Sequence, residues 1–224
     1  MSGLQTIIDN AISINIDRRK TSGFTISRSG IVKTAQHASN VPWTFTVTMH
    51  PGLKYSTNRA LTEEIDRLDR TEESNINIGS TNTGLAYITE YQGTLTVNER
   101  AAANIVAASN SNITLNATAL RTAGATASDY LVRAGDYIQP GGGYRYPYTA
   151  TADVLVGSGA NVTIPVHRPV IQANAYTFVG QTLSFGSNVT WRVKMVTKPS
   201  YSVVPHDRLE FSDSFQLVEI ILDT

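Results

Sequence analysis

Trp43, Phe45, Val47 and Met49 alternate with Thr44, Thr46 and Thr48. A period of two places the apolar set on one face of a strand and the threonines on the other. His50-Pro51-Gly52 ends the run. The period then changes: Ala60, Leu61, Ile65 and Leu68 form an apolar stripe with a repeat near 3.6, predicting an amphipathic helix from Ser56 to Arg70. Ser56 or Thr57 can cap it. Glu63 with Arg67, and Asp66 with Arg70, are spaced as helical ion pairs with the acid first, each worth a few tenths of a kcal/mol. Docking of the stripe on a sheet therefore holds this helix. Near the start, Leu4, Ile7, Ile8, Ala11 and Ile12 have helical spacing before Ile12 to Ile16 alternate, which predicts a short helix or arm feeding a strand. Further strands are expected at Thr21–Arg28, Ile31–Ala35, Leu85–Tyr91, Leu95–Asn98, Trp191–Val196, Tyr201–Val204 and Phe215–Leu222.

The middle of the chain has another texture. Residues 100–128 are a low-charge mixture of Ala, Ser, Asn and Thr containing the alternating Asn112-Ile-Thr-Leu-Asn116. Then come Leu131-Val-Arg-Ala-Gly-Asp-Tyr-Ile-Gln139, a Pro-Gly-Gly-Gly turn, Tyr144-Arg-Tyr-Pro-Tyr148, a strand from Ala152 to Val156, a Gly157-Ser-Gly159 turn, and Val162 to Val166. Short strands joined by tight glycine turns are how small barrels and sandwiches read. The last segment resumes the texture of the first, and the simplest topology pairs it with Trp43–Met49. The expected fold is mostly β: a discontinuous β-sandwich with one docked helix, residues 1–84 and 176–224, carrying an inserted small β-barrel-like domain at 85–175.

Composition agrees with a β reading. Charged residues are 16% of the 224, below the usual share of about 25%, and Thr, Ser and Asn supply the polarity instead. Eighteen basic and eighteen acidic residues cancel, leaving no basic excess for non-specific nucleic-acid binding. The densest basic run, Asp17-Arg18-Arg19-Lys20, is short and reads as a solvated turn or interface cluster. There is no cysteine, which removes disulfides, thiolate metal sites and a cysteine nucleophile. The first residues lack a basic, apolar signal-peptide pattern, so synthesis and folding in a cytosol are expected. No run approaches the ~18 apolar residues of a membrane span.

Candidate chemistry is thin. His37, His50, His167 and His206 lack partners at metal-ligand spacing. His206-Asp207, next to Pro205, reads as a turn without a nucleophile elbow, and a local hydrogen bond is its expected role. Glu63-Glu64 lie about 100° apart on a helix and Glu72-Glu73 follow it, so both pairs read as solvated faces. Gly141-Gly-Gly143 has no following Lys-Ser or Lys-Thr and no helix to make a phosphate loop. Arg133-Ala-Gly-Asp136 is not an integrin tripeptide. Tyr144, Tyr146 and Tyr148 alternate and would share one strand face, suited to packing, a protein interface, or stacking on sugars or bases. Asn112, Asn116, Asn161 and Asn188 each begin an Asn-x-Thr triplet, a by-product of composition in a chain without an export signal. No catalytic, cofactor-binding or metal-binding residue is assigned, and no enzyme activity is expected.

The residues of the insert, from Leu131-Val-Arg-Ala-Gly-Asp-Tyr-Ile-Gln139 through Ala152-Asp-Val154 to Val166-His-Arg-Pro169, resemble a module of tailed-bacteriophage tail proteins. The flanks, with Trp43-Thr-Phe-Thr-Val-Thr48, Ala60-Leu61, Trp191-Arg-Val193 and Phe211-Ser-Asp-Ser-Phe215, are similar to the body of tail-tube, tube-terminator and distal-tail (baseplate hub) proteins. The resemblance implies a non-enzymatic virion tail subunit. It would form a hexameric ring at the distal tube or baseplate hub and contact other tail and baseplate proteins. DNA would pass through the lumen only as cargo, and no membrane or cofactor would be involved. Lumens in that family are often acidic, so a net charge of zero departs from its pattern. The alternative expectation is a carbohydrate-binding adhesion module of a virion, using Tyr144, Tyr146 and Tyr148.

Overall fold

The computed structural model describes residues 3–18, 22–26, 32–36, 41–67, 73–79, 83–141, 146–171 and 178–221. It is mostly β. The principal sheet is antiparallel and has five strands, in the order β1 (Ala11–Asp17), β4 (Thr44–Met49), β17 (Phe215–Glu219), β14 (Trp191–Thr197) and β5 (Glu73–Ile76). Phe215 lies opposite Val47 and Leu217 opposite Phe45, so the last strand pairs with the threonine-backed strand, as the shared alternation predicts. Two separate two-stranded ribbons are formed by β2 (Ser22–Ile26) with β3 (Val32–Gln36), and by β15 (Tyr201–Val204) with β16 (Arg208–Phe211).

Two helices cover the apolar face. Leu4, Ile7 and Ile8 of α1 (Gly3–Asp9) are fully buried, and α1 packs against β4, β5 and α2 (Arg59–Arg67). Burial of each such side chain contributes about 1.5–3 kcal/mol, enough to hold a helix too short to persist alone. In α2, Leu61 and Ile65 point inward, whereas Ala60 is exposed. The helix is shorter than its pattern suggests because its first turn is used otherwise. Ser56 binds Asp207, and Thr57 and Asn58 donate to the Lys54 carbonyl. Asp66 accepts from Lys198 Nζ at 3.2 Å and Tyr201 Oη at 2.6 Å, tying the helix to the β15–β16 ribbon. Leu68 and Arg70 lie outside the described residues.

A second group of small sheets encloses its own core. β6 (Ile105–Ser109), β7 (Asn112–Asn116) and β12 (Asn161–Pro165) form one sheet. β9 (Tyr137–Pro140) lies between β10 (Tyr148–Thr149) and β13 (Leu183–Phe185), and β8 (Tyr130–Val132) pairs with β11 (Val154–Leu155). These sheets wrap one cluster, and no closed barrel is found among the described residues. Strands of two or three residues are too short to complete the continuous ladder that closure needs.

Two further expectations change. Leu95–Asn98 is not a strand: Val97–Ala101 form α3, where Thr96 Oγ1 accepts from Glu99 N and Glu99 Oε2 accepts from Thr96 N. This reciprocal cap turns the chain before a ladder can form. Thr83–Ile88 is a 3-10 helix rather than a strand. Its close fit needs Gly79, where φ is +83° and an added Cβ would lie 2.6 Å from Ala86 Cα. A fourth helix, α4 (Ala117–Thr122), is capped by the Asn116 side chain. The expected single helix is thus one of several short ones.

Apart from Leu85 and Leu209, the buried apolar residues fall into two clusters. One takes Leu4 to Ile78 and Val189 to Leu217. The other takes Leu95 to Val166 together with Ile171, Phe178, Leu183 and Phe185.

Candidate functional site

Where the two clusters meet, an ion pair is fully enclosed. Arg168 Nη1 and Nη2 donate to Glu219 Oε2 and Oε1, both at 2.7 Å, and each side chain is 1% exposed. The geometry is the bidentate fork that makes guanidinium–carboxylate pairs strong. Arg168 also donates to Val41 O and Pro147 O, and Glu219 accepts from Trp43 N at 3.1 Å, while Arg168 Nε is buried without a hydrogen-bond partner among the described residues. Glu219 points inward because Phe215, Leu217 and Glu219 share the inner face of β17. Trp43 packs beside the pair, with ring centroids 5.2 Å from His167, 5.8 Å from Tyr137 and 6.1 Å from Trp191. Gln139 adds a second tie, donating to Thr190 O at 2.6 Å and accepting from Thr190 N at 3.0 Å.

Several sequence candidates contribute to this joint rather than to a reactive centre. Arg18 stacks over Trp43 at 5.2 Å and donates to Thr149 Oγ1, and burial lowers its pKa from the ordinary guanidinium value. It acts as an interface tie; Arg19 and Lys20 lie outside the described residues. His167 accepts from Thr149 N through Nδ1 at 3.1 Å. Tyr146 and Tyr148 are 4% and 0% exposed, so these two do not form a surface ladder. Pro147 interrupts the run, only Tyr148 belongs to a strand, and its hydroxyl accepts from Ile171 N. Burial pushes the Tyr148 hydroxyl up to about 12. Tyr144 lies outside the described residues.

The other candidates are structural or solvated. His206 and Asp207 take positive φ values of 68° and 60°, and Asp207 accepts from Ser56 N at 2.8 Å and from Ser56 Oγ. The turn is as expected, but its hydrogen bond spans the fold instead of being local. His50 Nδ1 accepts from Gly52 N. Glu63 is exposed, and Glu73 pairs with Arg192. His37, Glu72, Gly142, Gly143 and the Glu64 side chain lie outside the described residues. Gly141 donates to Thr182 O, as a strand end does. In the Arg133–Asp136 turn, Arg133 pairs with Asp153 at 3.0 Å, while Asp136 is 2% exposed and accepts from Arg133 N and Gln92 N. Asn112, Asn161 and Asn188 are exposed, and Asn116 is a helix cap. Among the described residues no cluster of three His, Asp or Glu side chains has metal-site geometry, and no helix is long and apolar enough to cross a membrane.

The carboxylates give the fold a defined acid response. Hydrogen bonds from Tyr201 and Lys198 hold Asp66 below the usual carboxylate range. Those from Thr126, Ala134 and Ser56 do the same for Asp129, Asp153 and Asp207. A lowered native pKa contributes stability that is present above the unfolded value near ~4 and lost as pH falls through the native one. Asp136 has the opposite sign: burial pushes it up, so its strain is relieved as pH falls through its raised value. Thermal melting against pH is expected to show a small gain just above the ordinary carboxylate range, followed by a larger loss below about pH 4. The gain should vanish in Asp136→Asn. Stability that rises steadily to pH 2 would contradict the assignment.

The outer face of the principal sheet is mostly polar, with Val196 and Val218 as apolar members. Ser13, Asn15, Thr44, Thr46, Thr48, Asn75 and Gln216 lie on it, with Asp17 and Glu73 set against Arg192 and Lys194. Its edge strands, β1 and β5, each pair on one side only among the described residues. No family model matches the chain, and no curated protein matches it.

Proposed function

We propose that this chain is a non-enzymatic structural subunit of a bacteriophage virion tail, forming a ring at the distal tail tube or baseplate hub. The observation that carries the reading is the principal sheet: helices cover one face, the other is mostly hydroxylated and charge-balanced, and each edge strand pairs on one side only among the described residues. An unpaired edge is a template for a strand from another chain. Ring closure, with six copies in the resembling family, would satisfy both edges at once. The open face would then line a channel. Phosphates bind where basic charge is in excess, and a face that sets Asp17 and Glu73 against Arg192 and Lys194 lets DNA pass as cargo without holding it. The second cluster, welded on by Arg168–Glu219, would be an inserted domain projecting toward neighbouring tail and baseplate proteins. The residues proposed to line the channel are not those of the Tyr146–Tyr148 segment, which is core, so the glycan-platform alternative gains nothing from that segment.

The test is the solution mass by light scattering, with imaging of any large species. Rings with a central channel are expected. A strict monomer at the highest soluble concentration, unchanged by added preformed tube, would sink the reading. Asn15→Lys probes the contact itself, because a lysine in mid-edge opposes strand addition. It should abolish rings while leaving the monomer's melting temperature nearly unchanged. Rings as abundant as those of the unaltered chain would show that β1 is not the joining edge.

A further inference from the structure

Between α3, β13 and the 3-10 turn at Gly186–Asn188 lies a cleft of about 250 Å³. Its polar wall is Arg100, Ser184 and Asn188, and its apolar side is Val97, Leu183 and Phe185. Arg100 stacks over Tyr91 with its guanidinium carbon 4.6 Å from the ring centroid. Tyr91 is itself fixed, donating to Leu131 O at 2.7 Å and meeting Phe185 edge-on at 5.5 Å. Among the described residues no carboxylate pairs with Arg100, and its Nε is buried without a hydrogen-bond partner. The adjacent Glu99 carboxylate is committed to Thr96 N. The Ser184 hydroxyl and the Asn188 amide likewise have no side-chain hydrogen bond among the described residues.

A stacked guanidinium is a fork already oriented, and its natural complement is a carboxylate held by two parallel bonds. A hydroxyl and an amide, each able to donate and accept, complement alcohol groups. Val97, 72% exposed, offers an apolar rim for C–H surface. The volume lies just below the ~300 Å³ at which drug-sized pockets begin, which suits one ring and not an oligomer. We propose that the cleft binds a single acidic sugar residue of the uronate type. Its carboxylate sits on Arg100 and its hydroxyls on Ser184 and Asn188. The site is separate from the sheet edges and does not depend on ring assembly.

Amide NMR of the full chain titrated with galacturonate tests this, with galactose and acetate as partial ligands. Galacturonate should give saturable shifts around Val97, Ser184 and Asn188 with a Kd of about 1 mM. Galactose and acetate should each bind about tenfold or more weakly, lacking one half of the complement. Arg100→Met keeps much of the stacking stem and should abolish binding, and Arg100→Lys should weaken it by losing the fork. Asn188→Ala, at an exposed turn, should weaken binding severalfold without changing the melting temperature, and it decides the matter if the Arg100 variants misfold. Equal binding of galactose and galacturonate, shifts unchanged in Arg100→Met or Asn188→Ala, or no saturation at tens of millimolar would each overturn the proposal.

Discussion

Glu219→Gln should cost about 3–5 kcal/mol of unfolding free energy, the usual penalty for removing one partner of an enclosed ion pair. Glutamine keeps the shape of the side chain but removes the charge, leaving Arg168 cationic at 1% exposure beside Tyr148 and Trp43. The carbonyls of Val41 and Pro147 still accept from the guanidinium, yet no anion offsets it. Replacing both partners, Arg168→Met with Glu219→Leu, should recover a large part of the loss, because the desolvation of both charges is then avoided. Recovery will be incomplete, since Trp43 N, Val41 O and Pro147 O lose partners. Denaturant unfolding of the two singles and the double gives the coupling directly. A loss below about 1 kcal/mol for Glu219→Gln would mean that water reaches the pair and that the joint is loose.

Trp43→Ala is the second large effect, about 3–5 kcal/mol, because truncating a buried aromatic leaves a cavity that its neighbours fill only in part. The site is poorly placed to collapse. The Trp43 ring meets Tyr137, His167 and Trp191, and Arg18 lies over its face. Tyr137 lies on β9 of the small sheets and Trp191 on β14 of the principal sheet, so the cavity opens at the joint. The chain has two tryptophans, and the variant leaves Trp191 as the sole indole reporter. Its fluorescence should report unfolding at lower denaturant than far-UV circular dichroism does, as the second cluster outlasts the first. Coincident transitions with a loss under about 1 kcal/mol would remove Trp43 from this role. Trp43→Phe should lose less than half as much, keeping a ring in the same edge-on contacts.

Parts of this fold were open to reading from residue order alone. Trp43–Met49 and Trp191–Val196 alternate strictly and are rich in β-branched and aromatic residues, so both became strands within a residue or two of expectation. Leu4–Ile8 followed by Ile12–Ile16 gave the change of period that separates α1 from β1. Other segments carried conflicting signals. Leu95 and Val97 suggested a strand, while Thr96 and Glu99 already held the spacing of a capping box, and the local cap prevailed. The alternation of Tyr144, Tyr146 and Tyr148 suited packing, an interface or a stacking platform alike, and the burial of Tyr146 and Tyr148 makes packing the role of those two. Arg168–Glu219 was out of reach because the partners are 51 residues apart and meet only through tertiary packing. Its one trace is a glutamate at the inward position after Phe215 and Leu217, a charge where the pattern demands an apolar residue. The Arg100 cleft left no such trace, since its lining comes from α3, β13 and a turn far apart in sequence.

The order of the principal sheet also bears on synthesis. β17 lies between β4 and β14, at the middle of the sheet, yet it leaves the ribosome after every other strand described here. Until it arrives, β4 and β14 have no common neighbour, and Arg168 has no counter-ion. The second cluster, complete by Phe185, can consolidate first. A chain stopped short of Phe215 would thus carry a finished appendage on an unfinished frame, with its central gap lined by Phe45, Val47, Val193 and Met195. Such a product exposes apolar strands to degradation, so the placement of one strand ties the soundness of the frame to completion of the chain.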